Sequence, residues 1–159
     1  MKQLAKRRPI LDVGSGNGYW TYMLRRLNLI VHAIDNGDSI WRTMWIGDTI
    51  KADGAKYLTQ SSYSAQGGGN GGKDSVLLLV YPQVTTAFTT AVLKAYKGST
   101  ICVAGTQNRN GFTGFKDVLI DEYVLKELPD FEKIIQTPLP SFAGKDEALY
   151  VFERNKAAT

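Results

Sequence analysis

Apolar residues arrive along this chain in short runs, each broken by glycine, asparagine or aspartate. The first run, Pro9 to Val13, stops at three closely spaced glycines and predicts a buried strand. Trp20, Met23, Leu24 and Leu27 then fall at i, i+3, i+4 and i+7, the spacing of one helix face. Leu29 to Ile34 forms a second strand pattern and ends at Asp35-Asn36-Gly37-Asp38, a turn signal. Residues 39–47 hold two tryptophans and read as a short helix. Ile50 to Ala52 reads as a short strand, and residues 54–60 as one or two helical turns. Residues 61–73, SSYSAQGGGNGGK, show no periodicity and predict a flexible Gly/Ser-rich loop.

The second half is more regular. Ser75 to Val80 is a continuous apolar run suited to a central strand buried on both faces. Val84, Phe88, Ala91, Val92 and Ala95 mark a helix, and Ser99 to Ala104 another buried strand. A polar loop follows, then a helix over about residues 115–128. Phe131 to Thr137 and Ala148 to Arg154 read as two last strands with no helix between them, so they must pair antiparallel. Alternating strands and helices predict an α/β fold: a doubly wound, mostly parallel seven-stranded sheet with an antiparallel C-terminal hairpin strand and helices on both faces.

Composition narrows the classes further. The 159 residues are 43% hydrophobic and 21% charged, which excludes a disordered tail or a coiled coil and fits a single domain over 1–159. A single cysteine, Cys102, excludes an intrachain disulfide and a cysteine-based zinc site, and no metal site is read from the sequence. No apolar run reaches the roughly 20 residues that cross a bilayer, and the basic start, with Lys2, Lys6, Arg7 and Arg8, lacks a signal-peptide core. The expectation is a cytoplasmic protein with no membrane partner and a solvated N-terminus. The net charge of +4 is mild and the basic residues are scattered, so nucleic acid is open as a partner but not favoured.

The chemistry sits in ILDVGSGNGYW, residues 10–20. Asp12, Gly14, Ser15, Gly16, Asn17 and Gly18 lie between a strand and a helix, where open α/β sheets bind ligands. Glycines let the backbone turn tightly and approach a ligand, and the helix that follows presents free N–H groups. The order is G-x-G-x-G rather than the G-x-G-x-x-G of dinucleotide binders; Tyr19 stands where the latter has its third glycine.

Asp12-Val13-Gly14-Ser15-Gly16-Asn17-Gly18 matches in full the acid-x-Gly-x-Gly-x-Gly motif of the class I, Rossmann-like S-adenosylmethionine-dependent methyltransferases, and the sequence resembles that superfamily over most of its length. The resemblance implies S-adenosyl-L-methionine as cofactor and a seven-stranded sheet whose last strand is antiparallel. It implies that Asp35, 17 residues after Gly18, accepts from the ribose hydroxyls, a task that suits a carboxylate facing a diol. It implies that Asp53, with Gly54 after it, meets the adenine; an Asp there also serves as a helix N-cap. Trp20, Trp41 and Trp45 are read as core or cofactor-flanking, with one of them free to stack on adenine.

Three further loops reach the carboxyl edge of the sheet. Tyr81-Pro82-Gln83, then Gln107, Asn108, Asn110 and Phe112, then Pro138, Pro140 and Phe142 make a rim of amides and aromatics suited to a polar, partly flat acceptor. Of these, Tyr81, Pro82, Gln107, Asn108 and Phe142 are the principal substrate candidates. Tyr81-Pro82 stands where amino-group methyltransferases carry Asp/Asn-Pro-Pro-aromatic, which argues against a standard exocyclic-amine enzyme. No general base emerges: His32 sits in a buried strand, Asp117, Asp121 and Glu122 on a solvated helix face, and Cys102 in mid-strand. The acceptor is read as a small molecule or a protein. Family members usually carry helices before the first strand, so an oligomer or partner completing that cap is also expected. Two rivals stay open: a catalytically silent methyltransferase-like module working with a partner chain, and a nicotinamide or flavin oxidoreductase, against which the absent G-x-G-x-x-G argues.

Overall fold

Ile10–Val13 forms β1, the strand on which the sheet is built, with Val31–Asp35 (β2) on one side and Val76–Val80 (β4) on the other. The computed structural model describes residues 1–5, 7–82, 86–108, 118–141 and 145–155. Ile50–Lys51 (β3) extends the sheet beyond β2, and Thr100–Thr106 (β5) extends it beyond β4. Phe131–Pro138 (β6) and Glu147–Arg154 (β7) complete it in the order β3-β2-β1-β4-β5-β7-β6. All pairings are parallel except those of β7, which runs antiparallel to both β5 and β6. The hairpin expected from the sequence therefore folds back, and its second strand is the inner one. The edge strand β6 is exposed from Glu132 to Pro138.

Helices cover both faces. Gly54–Thr59 (α3), Thr86–Ala95 (α4) and Ile120–Glu127 (α5) pack on one, where Leu11, Val13, Leu77, Leu79, Ile101 and Val103 point. Lys2–Ala5 (α1) and Tyr19–Arg25 (α2) lie on the other, over Ile10, Val31, Val76, Leu78 and Cys102. The two-residue alternation of a strand thus sends Leu11 and Val13 into one layer and Ile10 and Asp12 into the other. Among the described residues no helix is long and apolar enough to cross a membrane.

Several expectations are corrected. Helix α2 buries Thr21 and Leu24, while Met23 and Leu27 of the expected stripe stand 44% and 49% exposed. The helix is only two turns long, so it lacks the length to lay a full stripe on the sheet. Residues 39–47 form no helix: the Trp45 ring lies 5.2 Å from that of Tyr19 and 5.4 Å from that of Tyr22, and the Trp45 backbone N–H donates to Asn17 O at 2.9 Å. Those contacts draw the segment across the start of α2 as irregular backbone.

The Gly/Ser tract is packed rather than loose. Ser61–Gln66 makes a 3₁₀ turn, Gly69 and Gly71 donate to Tyr57 O and Leu58 O at 2.9 and 2.8 Å, and Lys97 donates to Gly71 O at 2.8 Å. It lies by Pro9 and Ser75, at the amino edge of the sheet. The N-terminus is not simply solvated either: Ala5 is buried, and the Arg8 guanidinium donates to Ser99 Oγ, Thr100 Oγ1 and Ala5 O.

The buried Tyr96 hydroxyl lies 2.7 and 2.8 Å from the carbonyls of Ser75 and Thr100, stitching α4 to the starts of β4 and β5. Tyr96→Phe leaves those groups without their donor, and urea denaturation should show a loss of about 1–3 kcal/mol.

Candidate functional site

The chain runs from β1 through β2 to β3 on one side, then restarts with β4 on the other side of β1. Open α/β sheets bind ligands at that switch, beyond the carboxyl ends of the strands. A cavity of about 430 Å³ opens there, within the range of small-molecule sites.

Its floor and near wall are the glycine loop. Gly14, Gly16 and Gly18 adopt φ of 77°, 56° and 79°, a left-handed backbone that favours glycine. The loop is anchored at its start by Gly14 and Ser15 N–H donating to Ile34 O at 2.8 and 3.1 Å. Asp35 fixes its middle: one carboxylate oxygen accepts from Gly16 N–H at 2.9 Å, the other from Gly37 N–H at 2.8 Å. A Cβ on Gly16 would come within 3.1 Å of the Trp41 ring, so indole and loop are in close contact. The helix contributes less than expected, because Asn17 Oδ1 already accepts from Tyr19 N–H at 3.2 Å.

Asp12 is fully buried at the end of β1. Its Oδ2 accepts from the Thr21 hydroxyl at 2.6 Å, while Oδ1 has no partner, and Ser15 Oγ is likewise buried and unpaired. Burial above all, with the nearby Asp35 carboxylate adding to it, pushes Asp12 up from 3.8 to about 6, against the lowering effect of Thr21. Two unpaired buried oxygens in the wall of a cavity suit a ligand that brings donors or positive charge. The α-ammonium, sulfonium and ribose diol of S-adenosylmethionine fit such a set.

Of the expected cofactor residues, Asp12, Gly14, Ser15, Gly16, Asn17, Trp20, Asp35 and Gly54 line this cavity. Gly18 does not; it is buried against Ile46. Asp53 does not either: its carboxylate accepts from Lys56 N–H at 2.9 Å and caps α3. Gly54 lets α3 sit close to the sheet, since a Cβ there would lie 2.5 Å from Val13 Cγ1.

Of the expected substrate residues, Tyr81 and Pro82 line the cavity and Gln107 and Asn108 do not. The Gln107 amide donates to Asp146 at 2.8 Å and accepts from Gln136 at 2.7 Å, so the sheet edge holds it away. Phe142, Gln83, Asn110, Phe112 and Asp117 lie outside the described residues. Pro138 ends β6.

Sequence reasoning passed over Asn36, Asp38, Ser39 and Phe88, all of which line the cavity. The first three directly follow Asp35, and that adjacency was the available signal. Phe88 carried only a helix-core pattern.

Of the described residues set aside as bases, His32, Cys102, Asp121 and Glu122, none lines the cavity. His32 is half-buried, and burial followed by Arg25 lowers it from 6.5. Cys102 is buried, and burial pushes its thiol up to about 12. Asp121 does not face solvent as expected; its side chain is 13% exposed and pairs with Lys133 at 2.6 Å. Glu122 accepts from Leu119 N–H at 3.3 Å at the start of α5. Among the described residues, no group of three or more His, Cys, Asp or Glu could hold a metal ion.

No family model matches the chain, and no curated protein does. Solved structures do. The 1,6-didemethyltoxoflavin-N1-methyltransferase of Burkholderia thailandensis, solved with its substrate and S-adenosylhomocysteine, superposes with a TM-score of 0.63 at 10% identity, over 97% of this chain and 76% of that one. The E. cuniculi Mtq2-Trm112 complex, responsible for methylating the termination factor eRF1, gives 0.58 at 14% identity, over 93% and 85%. The N-methyltransferase NodS of Bradyrhizobium japonicum with S-adenosylhomocysteine gives 0.59 at 11%, over 98% and 83%. The chain therefore has the fold of the class I S-adenosylmethionine-dependent methyltransferases.

Because Asp12 binds a proton more tightly when folded, stability falls as pH rises from about 4 to about 6 and the cost is complete above that. Asp12→Asn removes this dependence. Urea midpoints should show the variant gaining on the parent by about 2 kcal/mol between pH 4 and pH 8.

Proposed function

We propose that this chain binds S-adenosyl-L-methionine in the glycine-loop cavity and transfers its methyl group to a small-molecule or protein acceptor. The observation that carries the reading is the buried Asp12 carboxylate with an unpaired oxygen in the cavity wall. A buried anion favours a ligand that brings positive charge and disfavours the pyrophosphate of a dinucleotide. The absent G-x-G-x-x-G spacing points the same way.

Asp12, Ser15 and the loop backbone would hold the charged amino-acid end of the cofactor. Asp35 would take the ribose hydroxyls while keeping its loop bonds, since a carboxylate has about four lone-pair sites. Ile34, Ala52, Gly54 and Phe88 offer the apolar wall an adenine needs. When bound, the cofactor supplies a methyl group on a positively charged sulfur. The work left to the protein is to align an acceptor and exclude water, which can supply most of the acceleration. Tyr81 and Pro82 would border that acceptor.

Ile40, Trp41, Met44 and Trp45 are exposed beside the cavity, with Ile40 at 99%. That surface supports a partner chain or second copy over the site, as Mtq2 is solved together with Trm112. The single thiol, which is buried, and the lack of a long apolar helix among the described residues support a cytoplasmic setting.

Calorimetric titration with S-adenosylhomocysteine, with NADH in parallel, tests the reading. Binding of S-adenosylhomocysteine alone is expected, tightening as pH rises through about 6 and Asp12 ionises. Asp35→Ala should weaken it by about 1–3 kcal/mol. NADH binding in its place would overturn the assignment.

A further inference from the structure

Large apolar side chains at the surface are not spread evenly. Among the described residues eleven are exposed, and eight of them lie between Tyr19 and Trp45. Tyr19 and Met23 sit one turn apart on α2, opposite its buried Thr21 and Leu24, and Leu27 follows a turn later. The Trp45 ring packs against Tyr19 and Tyr22, so the segment carrying Ile40, Trp41, Met44 and Trp45 continues that face of the helix. An aromatic side chain offers about 150–250 Å² for burial. About half-exposed, these residues together present an apolar surface on the order of several hundred Å². A lone monomer usually leaves less open, and each partner in a stable interface gives ~800 Å².

The polar residues indicate what covers this face. From Arg7 to Ile50 the chain contains no lysine and no glutamate, and every residue charged at neutral pH is arginine or aspartate. Protein interfaces are enriched in tyrosine, tryptophan, methionine and arginine and depleted in lysine and glutamate. A lipid surface attracts lysine as readily as arginine, and Asp38 and Asp48, which bracket the 39–47 segment, repel an anionic one. Both signs stand at the rim. Arg26 and Arg42 enter no ion pair among the described residues, Asp38 accepts from the neutral Asn36 amide at 2.6 Å, and Asp48 pairs with Arg25 at 2.8 Å. A patch that is apolar at its centre and carries both signs at its rim is complementary to itself across a two-fold axis, where an arginine of one copy meets an aspartate of the other.

We infer that two copies of this chain pair through this face, and that each copy closes the open side of the other's cavity. Tyr19, Asp38 and Trp41 are exposed on the patch and also line the cavity. A protomer seated on the patch therefore lies along that wall, beside the glycine loop where Trp41 already meets Gly16. Pairing and cofactor binding then favour one another by the same factor. The pairing stands on the surface alone; its coupling to the cofactor deepens the methyl-transfer reading and rests on it.

Sedimentation equilibrium of the full chain, from well below to well above micromolar concentration, tests this. A reversible monomer–dimer equilibrium is expected, with a dissociation constant on the order of micromolar. Ile40 is 99% exposed, so Ile40→Asp leaves the fold intact. It should weaken the dimer by about tenfold or more, as should Arg42→Glu. Ile134→Asp, on the exposed edge strand β6, should leave the dimer unchanged. Saturating S-adenosylhomocysteine should tighten the parent dimer several-fold. A chain that stays monomeric throughout, even one that sediments instead with vesicles of phosphatidylcholine and phosphatidylglycerol, overturns the inference. So does a dimer that Ile134→Asp disrupts and Ile40→Asp does not. A dimer indifferent to S-adenosylhomocysteine, although the chain binds it, overturns the closing of the cavity. A chain that pairs through Ile40 yet binds no S-adenosylhomocysteine overturns the methyl-transfer reading instead.

Discussion

A carboxylate with no solvent exposure stands at the end of the central strand, and one hydroxyl is its hydrogen-bond partner. Asp12 lies between Ala33 of β2 and Leu78 of β4, beneath α2, where every other side chain of its strand is apolar. Burying such a group costs free energy unless something compensates it. Thr21 compensates one oxygen and the protein leaves the other unpaired. The rest of the site follows from that expense. The helix must start close enough to β1 for Thr21 to reach back, so the connecting loop must be short, tightly turned and rich in glycine.

Asp35 is the second constraint. Standing at the end of β2, it ties the glycine loop to its own turn through Gly16 and Gly37, so one side chain holds loop and turn together. A loop already held in its binding shape loses less freedom when a ligand arrives. The two carboxylates are close enough for Asp35 to raise Asp12, so the site concentrates negative charge at its base. A cavity built this way suits the positively charged ligand proposed for it.

Much of this was legible in the sequence for physical reasons. Strands buried on both faces write themselves as unbroken apolar runs, as in Val76–Val80, and a tight turn at a ligand writes itself as glycines, as in Gly14, Gly16 and Gly18. What failed did so where a contact from elsewhere in the chain overrode local pattern. Trp45, caught between Tyr19 and Tyr22, kept residues 39–47 from forming a helix. Tyr57 and Leu58 offered carbonyls that turned a featureless glycine tract into a packed one. Gln107 had the right loop and the right chemistry, yet Asp146 and Gln136 held it at the sheet edge.

The sequence by itself determined the strands, the alternation that makes the sheet mostly parallel, the turn after β1 and the acids Asp12 in β1 and Asp35 at the end of β2. Those features are local: a period, a spacing or a residue type decides each one. Only the tertiary structure decided which distant residues face the cavity. Trp41 meets Gly16 because an irregular segment is pulled over the loop, and Tyr81 N–H meets Ala104 O because β5 lies parallel beside β4. No local pattern encodes either meeting, since strand order and the path of a loop are set by the packing of the whole sheet.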